Sequence, residues 1–342
     1  MTALLLLAMP VPAASDCAHD DGSPISLHPD YGDGARYRGI RLLGSLRLRE
    51  RSVDGQPAHG LSGLSWSAAQ QRLIVVSDRG FLVHLRPHIA GGHLVGASYC
   101  AAYPLRDANG NPLRGRGRDA EGLSLRPASA TSAEELLVAF EQRPRIARYS
   151  LDGRYLGELP LPTTLRSPAR YVSPNRALEA LTETRRFGVI VAPELPWRDA
   201  PASGVPLFSL GGPSWRFRTL DADYSGVVGM ETLPDDNLLV LERRFISLLH
   251  PLIIALSRVT LPDLPGQSAG QDEIARFDTT QGWAMDNFES LARHEGNRYF
   301  MISDDNASPL QHSLLVYFEV LADDAGPPPA ELPVPPFSRH RL

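Results

Sequence analysis

Two cysteines, Cys17 and Cys100, are all that the 342-residue sequence holds. That is too few for a disulfide scaffold, and their spacing fits no metal site. They leave open either one bridge, tying the start of the chain to its body, or two unpaired thiols. An excess of positive charge is also lacking. A formal net charge of −5 gives no basic field of the kind that nucleic-acid binding requires, and that class is excluded. No apolar run is long enough to span a bilayer, and helical periodicity is scarce. Familiar enzyme signatures are missing too. No phosphate-cradling loop or dinucleotide glycine pattern occurs, and His294-Glu295 is followed by Gly-Asn-Arg rather than by the second half of a zinc helix. In 60-GLSGL-64, Leu64 stands where a nucleophile elbow needs glycine. The stretch 107-DANGN-111 starts like a calcium loop, but Pro112 replaces the required glycine, so it reads as a hairpin turn.

What is present is an ordinary globular composition, 43% hydrophobic and 21% charged, enough to bury a large core. Residues 1–13 form a short apolar run closing on small residues, the pattern of a secretory signal cut after Ala13. The expected location is therefore periplasmic or secreted. Alternation, β-branched and aromatic residues, and Gly, Pro, Asn and Asp punctuation dominate the remainder.

Five segments repeat. They are 61-LSGLSWS-67 with 73-LIVVSDRG-80, 120-AEGLSLR-126 with 136-LLVAFEQR-143, 178-LEALTET-184 with 189-VIVAPEL-195, 230-METLPDD-236 with 238-LLVLERR-244, and 288-FESLARH-294 with 299-YFMISDDN-306. Each unit pairs a motif strand with an apolar strand that ends in an acid. In the first two units, two more strand-like runs follow. Segments 201–221 and 245–264 supply the third and fourth strands of the middle units. Four strands per repeat is a propeller blade. The expected fold class is therefore all-β: a β-propeller of five detectable four-stranded repeats, with six open because a divergent blade escapes a motif search. The last unit lacks an outer strand, which the run 38-RGIRLLGSLRLRE-50 can supply, closing the ring by pairing the two ends of the chain. The expected boundaries are a signal at 1–13, a propeller domain at 38–321 and a Pro-rich tail at 322–342.

First strands line a propeller's channel, so equivalent positions form a ring. The repeat alignment puts Glu121, Glu179, Glu231 and Glu289 there, and the second strands add Asp78, Glu141, Glu194, Glu242 and Asp304. Converging carboxylates repel unless a cation, an arginine or backbone N–H groups compensate. Hard oxygen donors of this kind suit calcium, with Glu121, Glu179, Glu231, Glu289, Asp78 and Asp304 as candidate ligands. The alternative is that each Glu bonds backbone N–H groups and locks the ring. Arg79, Arg118, Arg143, Arg243 and Arg244 lie close to these acids and are candidates for binding an anionic ligand through forked donors.

The motifs SGLSWSAAQQRLIVVSDRG, RDAEGLSL, NRALEALTET, GMETLPDDNLLVLERR and NFESLARHEGNRYFMISDDN together resemble the phytase-like domain of bacterial exported proteins, described as having esterase-like activity of the phytase type. The resemblance covers roughly residues 40 to 321. It implies a secreted β-propeller and at most a calcium-assisted phosphoesterase function. The expected partner is an anionic small molecule, such as a phosphate ester, and the expected state is a monomer. Two positions depart from the family pattern: Ala180 follows Glu179 where glycine is usual, and Arg244 replaces an acid after Glu242-Arg243. The competing class is a non-catalytic envelope propeller that binds an anionic ligand or a protein partner.

Overall fold

The second strand of every repeat is a run of β-branched and other apolar side chains, and each run is buried on both faces. Residues Leu73–Val76, Leu136–Phe140, Ile190–Ala192, Leu238–Leu241 and Tyr299–Ile302 have essentially no exposed surface. Double-sided burial means that each sheet is sandwiched between two others. The computed structural model describes residues 17, 20–201, 204–221, 223–247, 250–263 and 269–321. The expected signal segment 1–13 and tail 322–342 lie outside the described residues.

Five antiparallel sheets form five blades. Blade one contains Leu61–Ser67, Arg72–Ser77, Phe81–Ala90 and His93–Pro104. Blade two contains Ala120–Arg126, Glu135–Phe140, Arg145–Tyr149 and Tyr155–Leu159. Blade three contains Leu178–Thr184, Gly188–Pro193, Val205–Ser209 and Ser214–Phe217. In blade four, Ser225–Thr232, Leu238–Arg244 and Ile253–Thr260 are followed by Gly270–Asp278. The fourth strand here lies beyond the expected segment 245–264, which holds only the third strand. Blade five contains Asn287–Arg293, Arg298–Asp304 and Leu314–Val320, and is completed by Ile40–Leu48 from the start of the chain. Closure by the N-terminal run is thus as expected. Two short strands, Gly22–Pro24 and Arg36–Tyr37, add to its edge. Among the described residues, no helix is long and apolar enough to cross a membrane. The stretch 107–111 is a turn, with Asp107 accepting from the N–H groups of Asn109 and Asn111.

First strands touch in sequence around the ring, blade one to two to three to four to five and back to one. Five apolar clusters fill the spaces between neighbouring blades. The cluster between blades four and five also packs Tyr37 and Trp283, whose rings are 4.5 Å apart. At the outer edge of blade one, Cys17 and Cys100 form a disulfide, resolving the choice that the sequence left open. Next to it, the buried Asp21 accepts from the N–H of Tyr99 and pairs with Arg51. The start of the chain is thus fixed to blade one while its following strand completes blade five.

Candidate metal centre

Each first strand carries one extra residue relative to its partner, a β-bulge at its channel-side start. The slips fall between Leu61 and Gly63, Ala120 and Leu123, Leu178 and Ala180, Val227 and Gly229, and Phe288 and Ser290. The bulge positions are therefore Ser62, Glu121, Glu179, Val228 and Glu289. Small residues follow them because the inner strands approach closely. A Cβ on Gly63 would lie 2.4 Å from the carbonyl oxygen of Glu121, and one on Gly122 would lie 2.7 Å from that of Glu179. The same registers define a second ring at the ends of the second strands: Asp78, Glu141, Glu194, Arg243 and Asp304. Seven of these ten positions carry carboxylates and one carries arginine.

This register differs from the sequence alignment in blade four. Val228, not Glu231, is equivalent to Glu121, and Arg243, not Glu242, is equivalent to Glu141. Glu231 lies three residues farther along its strand. There it accepts from the N–H of Thr232 at 2.6 Å and of Arg293 at 3.2 Å, and from the hydroxyl of Thr182 at 3.4 Å. It thereby joins blades three, four and five in the backbone-locking role weighed as the alternative. Glu242 accepts from the N–H of Leu220 at 2.5 Å, and burial pushes its carboxyl up to about 7.

The other acids converge. One carboxylate oxygen from each of Glu141, Glu179 and Glu194 lies within 4.8 Å of the others, and the same holds for Asp119, Glu121 and Glu141. Burial, and then the charge of Glu141, holds Glu121 and Glu179 well above the usual carboxylate range. Burial pushes Glu141 up to about 8. The charge of Glu289 in blade five, which is not an adjacent blade, also raises Glu121 in blade two. Among the described residues, Glu121, Glu141 and Glu179 form no ion pair. Glu141 accepts from the N–H of Ala177 at 3.0 Å. Glu194 and Glu289 differ. Glu194 Oε1 is paired with Arg176 at 3.1 Å and Arg243 at 3.2 Å, and Glu289 Oε1 with Arg243 at 2.6 Å.

Asp78 and Asp304 flank the blade-five side of the ring. Burial raises both, Asp304 to about 8, with the charge of Glu289 as its next cause. Asp304 accepts from the N–H of Asn306, and its neighbour Asp305 ties Gly60 to Ser313 across blades five and one. Of the candidate anion binders, Arg79 and Arg118 sit beside Asp78, and Gly80 brings their loops together: a Cβ there would lie 2.7 Å from that of Arg118. Arg143 is exposed on the neighbouring turn. Arg243 and Arg244 are engaged in ion pairs, Arg244 with the half-buried Asp221 at 3.3 Å. Sequence reasoning did not assign Glu141 or Glu194 a ligand role, although each follows an apolar strand in the repeat. Arg176, in the loop before blade three, carried no repeat signal.

An oxygen-only set of buried and half-buried carboxylates, of which Glu121, Glu141 and Glu179 form no ion pair among the described residues, fits a hard divalent cation, since calcium accepts several carboxylates in irregular geometry. It does not fit zinc, which favours nitrogen and sulfur donors. A family model described as "Phytase-like: Esterase-like activity of phytase" matches residues 56–307. No curated protein matches the chain significantly. Among solved structures, the PQQ-bound aldose sugar dehydrogenase of Streptomyces coelicolor is 12% identical with a TM-score of 0.41, covering 80% of this chain and 97% of that one. The β-propeller domain of Cps50 (Swd1) of Myceliophteria thermophila is 10% identical with a TM-score of 0.39, covering 88% and 100%. Likenesses at these TM-scores carry no argument about function.

Proposed function

The chain belongs to the phytase-like family, and from that premise and the channel geometry we propose that it is an exported, calcium-dependent phosphoric-ester hydrolase. The observation that supports it most is the convergence of carboxylates on Glu141, from Asp119 and Glu121 on one side and from Glu179 and Glu194 on the other, with no ion pair to Glu121, Glu141 or Glu179 among the described residues. Buried charges of one sign persist only with compensation, and a divalent cation supplies it. Calcium bound there would polarise a phosphoryl oxygen and lower the pKa of a bound water.

The residues of the chain contribute the rest. Glu121, Glu141 and Glu179 come from rigid inner strands and the strand end beside them, which fixes their spacing without loop motion. Asp119 forms the outer edge of the cluster. Arg79 and Arg118, on the adjoining loops, offer forked donors to the oxygens of an anionic ester and offset charge as it accumulates there. Export is supported by the Cys17–Cys100 disulfide, since such bonds persist in oxidising compartments, and by the signal-like run at 1–13.

Hydrolysis of an aryl phosphate, measured with calcium and again with chelator, tests the reading. Turnover that disappears with chelator and returns with calcium is expected. Calcium-induced thermal stabilisation without turnover would identify a binding propeller instead, and neither response would remove the metal from the account.

A further inference from the structure

Arg243 occupies a position that carries an acid in the other four blades, among them Glu141 and Glu194. Its guanidinium, largely buried, spans from Glu194 of blade three to Glu289 of blade five, and also contacts the Asn287 side chain. Asn287 in turn donates to Glu289 Oε1 at 2.6 Å. The acids of the channel therefore fall into two groups. On the side of blades two and three, Glu121, Glu141 and Glu179 have no paired arginine among the described residues. On the side of blades three to five, the carboxylates are already neutralised by a side chain fixed through a polar contact at each end.

We propose that Arg243 is a resident counter-cation that fills one half of the channel, confining calcium to the site of Glu121, Glu141 and Glu179 and withdrawing Glu289 from ligation. The inference rests on the calcium reading above and specifies which ring acids take part. Glu121 and Glu289 occupy equivalent bulges, so repeat symmetry alone assigns them the same role. Arg243 breaks that symmetry, because a guanidinium and a calcium ion cannot share the same carboxylate-lined space without strong repulsion. Arginine suits the task since its planar fork reaches two carboxylates at once and stays protonated. Burial lowers the pKa of Arg243, but Glu289, Glu194 and Glu179 together outweigh it and raise it, so the charge is held firmly.

The test compares calcium-induced shifts in melting temperature for wild type, Glu121→Gln and Glu289→Gln, with calcium per chain measured by equilibrium dialysis for wild type and Arg243→Gln. Glu289→Gln keeps an acceptor for Arg243 and Asn287, so it should retain the wild-type shift, whereas Glu121→Gln should lose most of it. Arg243→Gln should bind one additional calcium per chain, because Glu289 then loses its only paired arginine among the described residues and Glu194 keeps Arg176 alone. Loss of the shift in Glu289→Gln as well as in Glu121→Gln, or an unchanged stoichiometry in a folded Arg243→Gln, would overturn the proposal while leaving the metal reading intact. If Arg243→Gln fails to fold, the Glu289→Gln comparison decides. Absence of any shift in the wild type would overturn both.

Discussion

Glu121 and Glu231 show how the same residue type meets two environments within one ring of strands. Glu231 has two backbone N–H partners and a threonine hydroxyl, which offset part of the burial that raises its carboxyl. Replacing it by alanine strands those N–H groups, and a loss of about 1–3 kcal/mol in unfolding free energy is expected, with the calcium-induced melting shift unchanged. Denaturant melts with and without calcium check both halves. Glu141 and Asp304 predict a pH response. Their pKa values are raised to about 8 in the fold, from ordinary carboxylate values in the unfolded chain. Between those limits the native state binds more protons, so stability of the metal-free protein is fullest near pH 4.5 and falls as pH rises toward 8. Calcium should flatten that slope, since it favours the ionised form. Melting temperatures across this range, in chelator and in calcium, provide the measurement.

At the scale of the element, the bulged first strands both create the site and explain what the sequence concealed. Blade count, strand pairs and closure by residues 38–50 were legible because apolar second strands and turn residues recur at every repeat. The register of blade four was not. Aligning acid with acid put Glu231 beside Glu121, yet 227-VVGMETL-233 matches 178-LEALTET-184 once Gly229 is set against Ala180. Packing against the next blade requires a small residue after the bulge, and that requirement governs the register more strictly than charge does. Gly122→Ala is accordingly expected to destabilise the protein by about 1–3 kcal/mol, since its Cβ would press on the Glu179 carbonyl and on Leu181. A melting temperature equal to wild type would show that the inner strands can spread. Pairing of Arg243 with two acids was hidden for a related reason: it depends on side chains from blades three and five, about 50 residues before and after it.

On the scale of the whole molecule, five inter-blade clusters and the paired chain ends make a closed ring without a free edge between first and last blades. The Cys17–Cys100 bond closes a loop that contains both the completing strand and most of blade one. Cys100→Ser should cost about 2–4 kcal/mol in stability, read from denaturant midpoints under non-reducing conditions. A rigid ring is also what permits several like charges to be held on one axis. The most direct measurement is a crystal structure of the protein grown with calcium. The account predicts a single ion coordinated by carboxylate oxygens of Glu121, Glu141 and Glu179 at about 2.3–2.6 Å, with Arg243 still paired to Glu194 and Glu289. Carboxyl groups hydrogen-bonded to one another around an ion-free channel, in crystals saturated with calcium, would contradict it.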